Sequence, residues 1–159
     1  MMKTTALGFL LIILAFSGSA GAQCKGGMVV IVNQSNPTQS LSVAQIRRLV
    51  LGDVRAWPNN KPVTLVIREA NSAITNCVLS GIVRLSNNEY IRYLLNAEFR
   101  GEDPITPQTV TSNATAAKFV AATPGAISFV DADFVQSAGT SVKVIRVNGK
   151  LPGEAGYPF

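Results

Sequence analysis

The chain of 159 residues contains no histidine. Without an imidazole, a Ser-His-Asp or Cys-His catalytic arrangement cannot form, and the usual zinc sites lose their nitrogen ligand. The glycine patterns of nucleotide-binding loops are absent as well. The acidic residues form no spaced pair in an apolar setting, since Glu98, Glu102 and Asp103 fall in a polar stretch. We therefore expect a protein that is not an enzyme and uses neither a metal nor a cofactor, with a hydrolase as a remote alternative.

Long hydrophobic runs are scarce, and the single clear one lies at the start of the chain. Residues 6–16 are apolar, and Ala20-Gly21-Ala22 follows with the small-x-small pattern of a cleavage site. This predicts a secretory signal peptide over residues 1–22, too short to serve as a membrane span. Gln23 stands before Cys24 where a lipoprotein has a small residue, which disfavours lipidation. Residues 23–159 then form one periplasmic or secreted domain that does not span a membrane.

Runs of one charge are also missing. Without Lys3 the mature chain has 13 basic and 9 acidic residues, a net charge of +4. The basic residues are scattered, and Arg47-Arg48 is the only adjacent pair. Such a distribution lacks the basic patch of a nucleic-acid-binding surface, so we expect no nucleic-acid partner. A modest positive charge is compatible with an anionic ligand.

Cysteine is limited to two residues, Cys24 and Cys77. In an exported chain an even count predicts a disulfide that joins the N-terminus to a helix. The alternative, a redox-active pair, is disfavoured because no C-x-x-C sequence occurs.

The remaining sequence alternates strand and helix patterns. Short β-branched runs predict strands at residues 28–33, 63–67, 126–130 and 142–147. Between them, capping residues and apolar periodicity predict helices that begin near Ser42, Ser72, Ser86 and Ser112. In the third of these helices we expect Tyr90, Ile91, Leu94 and Leu95 to face inward. This alternation predicts an α/β layered domain with a mixed, mainly parallel sheet.

The stretch VTLVIREANSAITN suggests a binding site. The predicted strand runs into Arg68, whose forked donors suit a tetrahedral oxyanion, and Asn71 and Ser72 follow at a predicted helix start. In α/β sheets ligands bind where strands end and helices begin. The alternative is structural: Asn71 or Ser72 only caps the helix, and Arg68 only pairs with a surface acid. Asn33 and Ser35 follow another strand, where Asn33 can contact an anion or close a turn.

The stretch LSVAQIRRLVLGDVRAWPNNKPVTLVIRE resembles the periplasmic phosphate-binding proteins of phosphate ABC transporters. Asn33, Leu51-Gly52 and Trp57 follow the family's order, and TPGAISFVDAD and VIRVNGKLP resemble its later strands. The resemblance implies one three-layer α/β lobe of the type 2 periplasmic-binding-protein kind, at about half the family's usual length. It also implies inorganic phosphate or a similar oxyanion as ligand, and an ABC permease as partner.

The family's anion loop reads Arg-x-Asp-Gly-Ser-Gly-Thr, and this sequence keeps only part of it. Arg68 and Ser72 match, whereas the other four defined positions hold Ala70, Asn71, Ala73 and Ile74. The loss of the aspartate implies weaker discrimination between protonated and fully ionised anions. We therefore expect oxyanion binding through Arg68 and Ser72, with Asn71, Asn33 and Ser35 as further ligand residues. The alternative is an envelope interaction or scaffold protein that kept the lobe and lost anion binding.

Overall fold

The computed structural model describes Cys24 and residues 27–137 and 139–159. The predicted signal peptide and its cleavage site lie outside the described residues. Seven strands occur in the described part: β1 (Met28–Asn33), β2 (Ser40–Leu41), β3 (Thr64–Arg68), β4 (Gln108–Val110), β5 (Ala126–Asp131), β6 (Val142–Val144) and β7 (Arg146–Val147). The α-helices are α1 (Val43–Val50), α2 (Ala73–Asn76), α3 (Asn87–Phe99), α4 (Asn113–Ala122) and α5 (Ala132–Val135). A π-helical segment, Cys77–Val83, continues α2, and a short 3-10 helix spans Gly139–Ser141.

Five strands form the main sheet, in the order β4-β3-β5-β1-β6. The pairs β4–β3 and β3–β5 are parallel, whereas β1 runs antiparallel to both β5 and β6. The remaining two strands, β2 and β7, pair in parallel as a separate small sheet. The mixed, mainly parallel sheet is therefore as predicted. The three-residue strand β4 was not predicted, because it lies in a polar stretch after Pro107 with little apolar periodicity.

Both faces of the main sheet are covered, which explains why β1 is an unbroken apolar run. Met28, Val30 and Val32 point into one core, which includes α1, the α2–π segment and α3. Val29 and Ile31 point into the other core, beneath α4. The predicted three-layer arrangement is confirmed.

The N-terminal ends of the helices follow the capping residues of the sequence. Ser42 with Gln45 and Ser86 with Glu89 form reciprocal capping boxes at the starts of α1 and α3. Hydrogen bonds donated by Ser86 to Glu89 hold the pKa of that carboxyl below its usual range. The predicted disulfide is present, with the Cα atoms of Cys24 and Cys77 5.6 Å apart.

The predicted inward face of α3 needs a correction. Tyr90 and Ala97 are buried, and the Tyr90 hydroxyl donates to the Val50 carbonyl at 2.7 Å. Ile91 and Leu95, by contrast, are 50% and 47% exposed. Apolar residues occupy more than one side of α3, and only the side anchored by Tyr90 reaches the core.

Candidate functional site

The carboxyl ends of three parallel strands meet at one edge of the sheet. Because β3 lies between β4 and β5, the end of β3 is central at this edge. Arg68 is the last residue of β3 and pairs with Val110 at the end of β4, while Asp131 ends β5. This strand-end edge is the position at which α/β sheets bind ligands.

The Arg68 guanidinium is largely buried and only partly paired. Its side chain is 18% exposed. Nη1 donates to Asn113 Oδ1 at 3.2 Å, and Nη2 donates to Glu69 Oε1 at 3.1 Å. Nε is buried and has no hydrogen-bond partner among the described residues. A buried hydrogen-bond donor without a partner destabilises the folded protein, and at the strand-end edge Arg68 Nε is such a donor.

A polar chain extends from Arg68 to the neighbouring strand. Asn113, the first residue of α4, accepts from Arg68 and donates through Nδ2 to Asp131 Oδ2 at 2.6 Å. The carboxylate of Asp131 therefore lies two hydrogen bonds away from the guanidinium. Sequence reasoning missed Asn113 and Asp131, although both positions carry a usable pattern. Asp131 directly follows a predicted strand, and Asn113 follows the capping residue Ser112.

The turn after Arg68 is held together by its own hydrogen bonds. Ser72 caps α2, since its hydroxyl accepts from the Thr75 backbone N–H at 3.1 Å. The Thr75 hydroxyl donates to the Arg68 carbonyl at 2.8 Å. Asn71 is exposed and has a positive φ of 70°, a conformation that asparagine tolerates better than most residues. Asn71 and Ser72 thus lie in the turn that follows Arg68, and the Ser72 oxygen is used as a helix cap.

Asn33 and Ser35 do not lie near Arg68. The register aligns Val32, Ile127 and Leu65, and because β1 is antiparallel, Asn33 extends away from the end that holds Arg68. The separation along the strands is about 13 Å. The Asn33 amide donates to the carbonyls of Val120 and Ala121 at the end of α4, at 2.8 and 2.9 Å. Its oxygen accepts from the Ser35 hydroxyl at 2.7 Å.

These bonds use the side-chain groups of Asn33 that an anion would need. Asn33 is only 6% exposed. Asn33 therefore caps the end of α4, and Ser35 contacts the Asn33 oxygen, so both side chains have structural partners.

A groove of about 230 Å³ lies against Arg68. Its polar wall includes Arg68, Thr75 and Thr109, and its apolar wall comes from α3. Burial raises the pKa of Tyr90, on that wall, well above its usual range, so the phenol stays neutral. A larger groove of 460 Å³ lies beside α1 and the loop at Trp57, but it contains none of the strand-end residues.

The surroundings of Arg68 carry features of both alternatives raised by the sequence. Arg68 is among the residues that line a groove, which favours binding, yet its guanidinium pairs with Glu69, which favours a structural role. Glu69 is 43% exposed, so this ion pair is accessible to solvent and contributes little to stability.

No group of three His, Cys, Asp or Glu residues that could hold a metal ion occurs in the described part of the chain. Nor is any helix there long and apolar enough to cross a bilayer.

Solved structures with the same fold include several phosphate-binding proteins. An ABC-type phosphate transport receptor from Vibrio cholerae superposes with a TM-score of 0.59 and 21% identity, over 79% of this chain and 48% of the receptor. PstS from Borrelia burgdorferi gives a TM-score of 0.62 and 14% identity, over 79% and 48%. A putative phosphate ABC transporter substrate-binding protein from Clostridium perfringens, with bound phosphate, gives 0.59 and 22%, over 77% and 45%.

At these identities the likeness shows the fold, and the matched part of this chain spans about half the length of each relative. The match to a family is broader, because residues 22–153 fit the model described as the PBP superfamily domain. The chain, whose described residues form an α/β lobe, therefore belongs to the PBP superfamily domain family.

Proposed function

We propose that this protein binds inorganic phosphate or a related oxyanion at the strand-end edge of the sheet, as an exported solute-binding domain. The observation that carries the proposal is Arg68, which is among the residues that line a groove and whose buried Nε has no partner among the described residues. A guanidinium recognises tetrahedral oxyanions through paired N–H donors. The Clostridium perfringens relative holds a bound phosphate, which supports the same ligand class.

The finer parts of the proposal rest on the N-terminal sequence and on the family. The N-terminal sequence supports export to the periplasm or the exterior. The relatives from Vibrio cholerae and Clostridium perfringens belong to ABC-type phosphate transport, which supports an ABC permease as the partner. Affinity should be lower than in a complete receptor. Ala70 and Ile74 supply no side-chain hydrogen bond, and each lost bond to a charged group weakens binding by about 1.5–3 kcal/mol.

Isothermal titration of the oxidised protein with phosphate tests the proposal. We expect saturable binding that weakens at least about tenfold in Arg68→Ala, since a charge-assisted contact is lost. Arg47→Ala is the matched control, because it removes the same charge from an exposed position on α1 and should leave the affinity unchanged. Sulfate, titrated in parallel, reports how far the protein discriminates between oxyanions. Absence of heat for both anions up to about 1 mM would contradict the proposal.

A scaffold role is the second candidate, and the Arg68–Glu69 ion pair favours it. Glu69→Gln separates the two. If Arg68 binds anions, loss of the competing carboxylate should tighten phosphate binding by up to about fivefold, the effect of a partly exposed ion pair worth ~1 kcal/mol. If the lobe is a scaffold, the wild type and the Glu69→Gln variant should both give no binding heat.

A further inference from the structure

Two polar side chains stand at helix starts and do not cap those helices. Asp131 is the N-cap residue of α5, yet its side chain makes no capping hydrogen bond in the described part of the chain. Asn113 is the first residue of α4, and Ser112 supplies the cap of that helix. Both side chains instead belong to the polar chain that ends on Arg68, through the bonds of 2.6 Å between Asn113 and Asp131 and 3.2 Å between Arg68 and Asn113.

We propose that Asp131 is a positioning residue for the anion site, which acts through Asn113 to hold the Arg68 guanidinium. This inference deepens the proposed anion binding and rests on it. A carboxylate only accepts hydrogen bonds, and a guanidinium only donates them. The Asn113 amide between them satisfies both in one orientation, with Nδ2 toward Asp131 and Oδ1 toward Arg68. The carboxylate therefore decides which end of the amide faces the arginine.

The guanidinium of Arg68 is held from two sides and keeps donors for a ligand. Nη1 donates to Asn113, and Nη2 donates to Glu69. Each of these nitrogens carries a second N–H group, and the side chain is still partly exposed. An arginine loses much side-chain entropy when it becomes ordered. Because the polar chain orders Arg68 before an anion arrives, less of that entropy is lost on binding.

Simple electrostatics predicts the opposite role for Asp131. A carboxylate near an anion site repels the ligand, so its removal should tighten binding. If Asp131 positions Arg68, its removal should weaken binding. The Asn113 amide is then free to turn its NH2 group toward the guanidinium, which sets donor against donor. The sign of the change in affinity therefore separates positioning from charge.

Isothermal titration with inorganic phosphate measures that sign. Asp131→Ala should raise the dissociation constant about three- to tenfold, because one long side chain must then be ordered on binding. Asp131→Asn keeps an oxygen that can accept from Asn113, so its loss of affinity should be smaller. Asp133→Ala is the matched control, since it removes the same charge from an exposed position on α5 and should leave the constant unchanged or slightly lower.

A double-mutant cycle tests whether Asp131 acts through Asn113. Asn113→Ala should weaken phosphate binding by a similar factor, and α4 keeps its Ser112 cap in this variant. In the Asn113→Ala background, Asp131→Ala should then change the affinity little, since the connecting amide is already gone. Urea unfolding of each variant checks that it is folded under the conditions of the titration.

The nitrogen NMR signals of the Arg68 guanidinium report its position without a ligand. Rotation of a free guanidinium averages its two terminal nitrogens, whereas hydrogen bonds to different partners keep them distinct. We expect distinct Nη1 and Nη2 signals in the wild type and faster exchange between them in Asp131→Ala. The Arg68→Ala variant, which lacks these signals, identifies them.

The possible results separate this proposal from the proposed function. Phosphate binding that is unchanged or tightened in Asp131→Ala would overturn the positioning role and leave the proposed function intact. Additive losses in the cycle would also overturn it, because Asp131 would then act without Asn113. The same holds if Nη1 and Nη2 exchange equally fast in the wild type and in Asp131→Ala. Absence of binding heat in the wild type would contradict the proposed function itself, and the positioning role with it.

Discussion

Replacement of Gly125 by alanine is expected to lower the free energy of unfolding by about 3 kcal/mol or more, from a strained backbone angle plus overpacking. Gly125 has a φ of +90°, which side-chain-bearing residues rarely adopt. A Cβ at this position would lie 2.1 Å from the Pro62 carbonyl oxygen. Since that oxygen belongs to the backbone, no side-chain rotation relieves the clash, and the chain itself must move.

The backbone around Gly125 cannot move without loss of other contacts. The Gly125 carbonyl accepts from the Thr64 N–H at 3.0 Å, at the point where β3 begins beside β5. It also accepts from the Trp57 indole N–H at 2.8 Å. Trp57 is only 5% exposed, so an indole N–H without this partner would be a buried unsatisfied donor. One methyl group would therefore disturb the strand start and the Trp57 loop together.

Urea unfolding of the two variants Gly125→Ala and Gly153→Ala separates the cost of the strained backbone angle from the cost of the clash with Pro62. Gly153 has a similar φ of +86°, but a Cβ there meets nothing within 4 Å. The Gly153→Ala substitution should lower the free energy of unfolding by about 1 kcal/mol, because only the strained backbone angle contributes. Equal losses in the two variants would show that the Pro62 contact relaxes freely, and would contradict the argument from the clash.

Local features of this fold could be predicted from the sequence because their causes are local. The capping boxes at Ser42 and Ser86 depend on residues three positions apart, and both are present. The Pro-Gly turn before β5 likewise depends on adjacent residues. In such patterns the interacting residues are close in the sequence, so they can be predicted without knowledge of the strand order in the sheet.

The direction of β1 could not be predicted, and it decides which residues can share a site. A run of apolar residues buried on both faces looks the same in a parallel and an antiparallel strand. Because β1 is antiparallel to β5, Asn33 reaches the end of α4 and not the edge that holds Arg68. Asn113, which follows β4, contacts Arg68, and Asp131, which ends β5, contacts Asn113, because β4 and β5 run parallel to β3 and end at the same edge.

The exposure of Ile91, Leu95 and Phe99 on α3 could not be predicted, for a different reason. Apolar residues at 90, 91, 93, 94 and 95 cover more than half of the helix circumference, and hydrophobic periodicity cannot say which part meets the core. The hydroxyls of Tyr90 and Tyr93 decide it, because they donate to the carbonyls of Val50 and Leu51 at the end of α1. That contact fixes the rotation of α3 and turns Leu95 outward.

Removal of the Cys24–Cys77 disulfide is expected to lower the free energy of unfolding by about 4 kcal/mol. The two cysteines are 53 positions apart, and in the chain-entropy model a loop of this length restricts the unfolded chain by about that amount. The loss is large because single domains are stable by only about 5–15 kcal/mol. The bridge also anchors the first described residue to the start of the π-helical segment, nine positions after Arg68.

Urea unfolding of the wild type, with and without reductant, measures this effect. The double variant Cys24→Ser/Cys77→Ser is the control. Its free energy of unfolding should match that of the reduced wild type and should not change when reductant is added. A loss of stability below about 1 kcal/mol would contradict the loop-entropy argument.

Phosphate titration of the same variant then tests whether the disulfide also holds the turn after Arg68 in place. That turn has its own hydrogen bonds through Ser72 and Thr75. We therefore expect the folded double variant to keep its anion affinity, so that the bridge contributes to stability and not to the site.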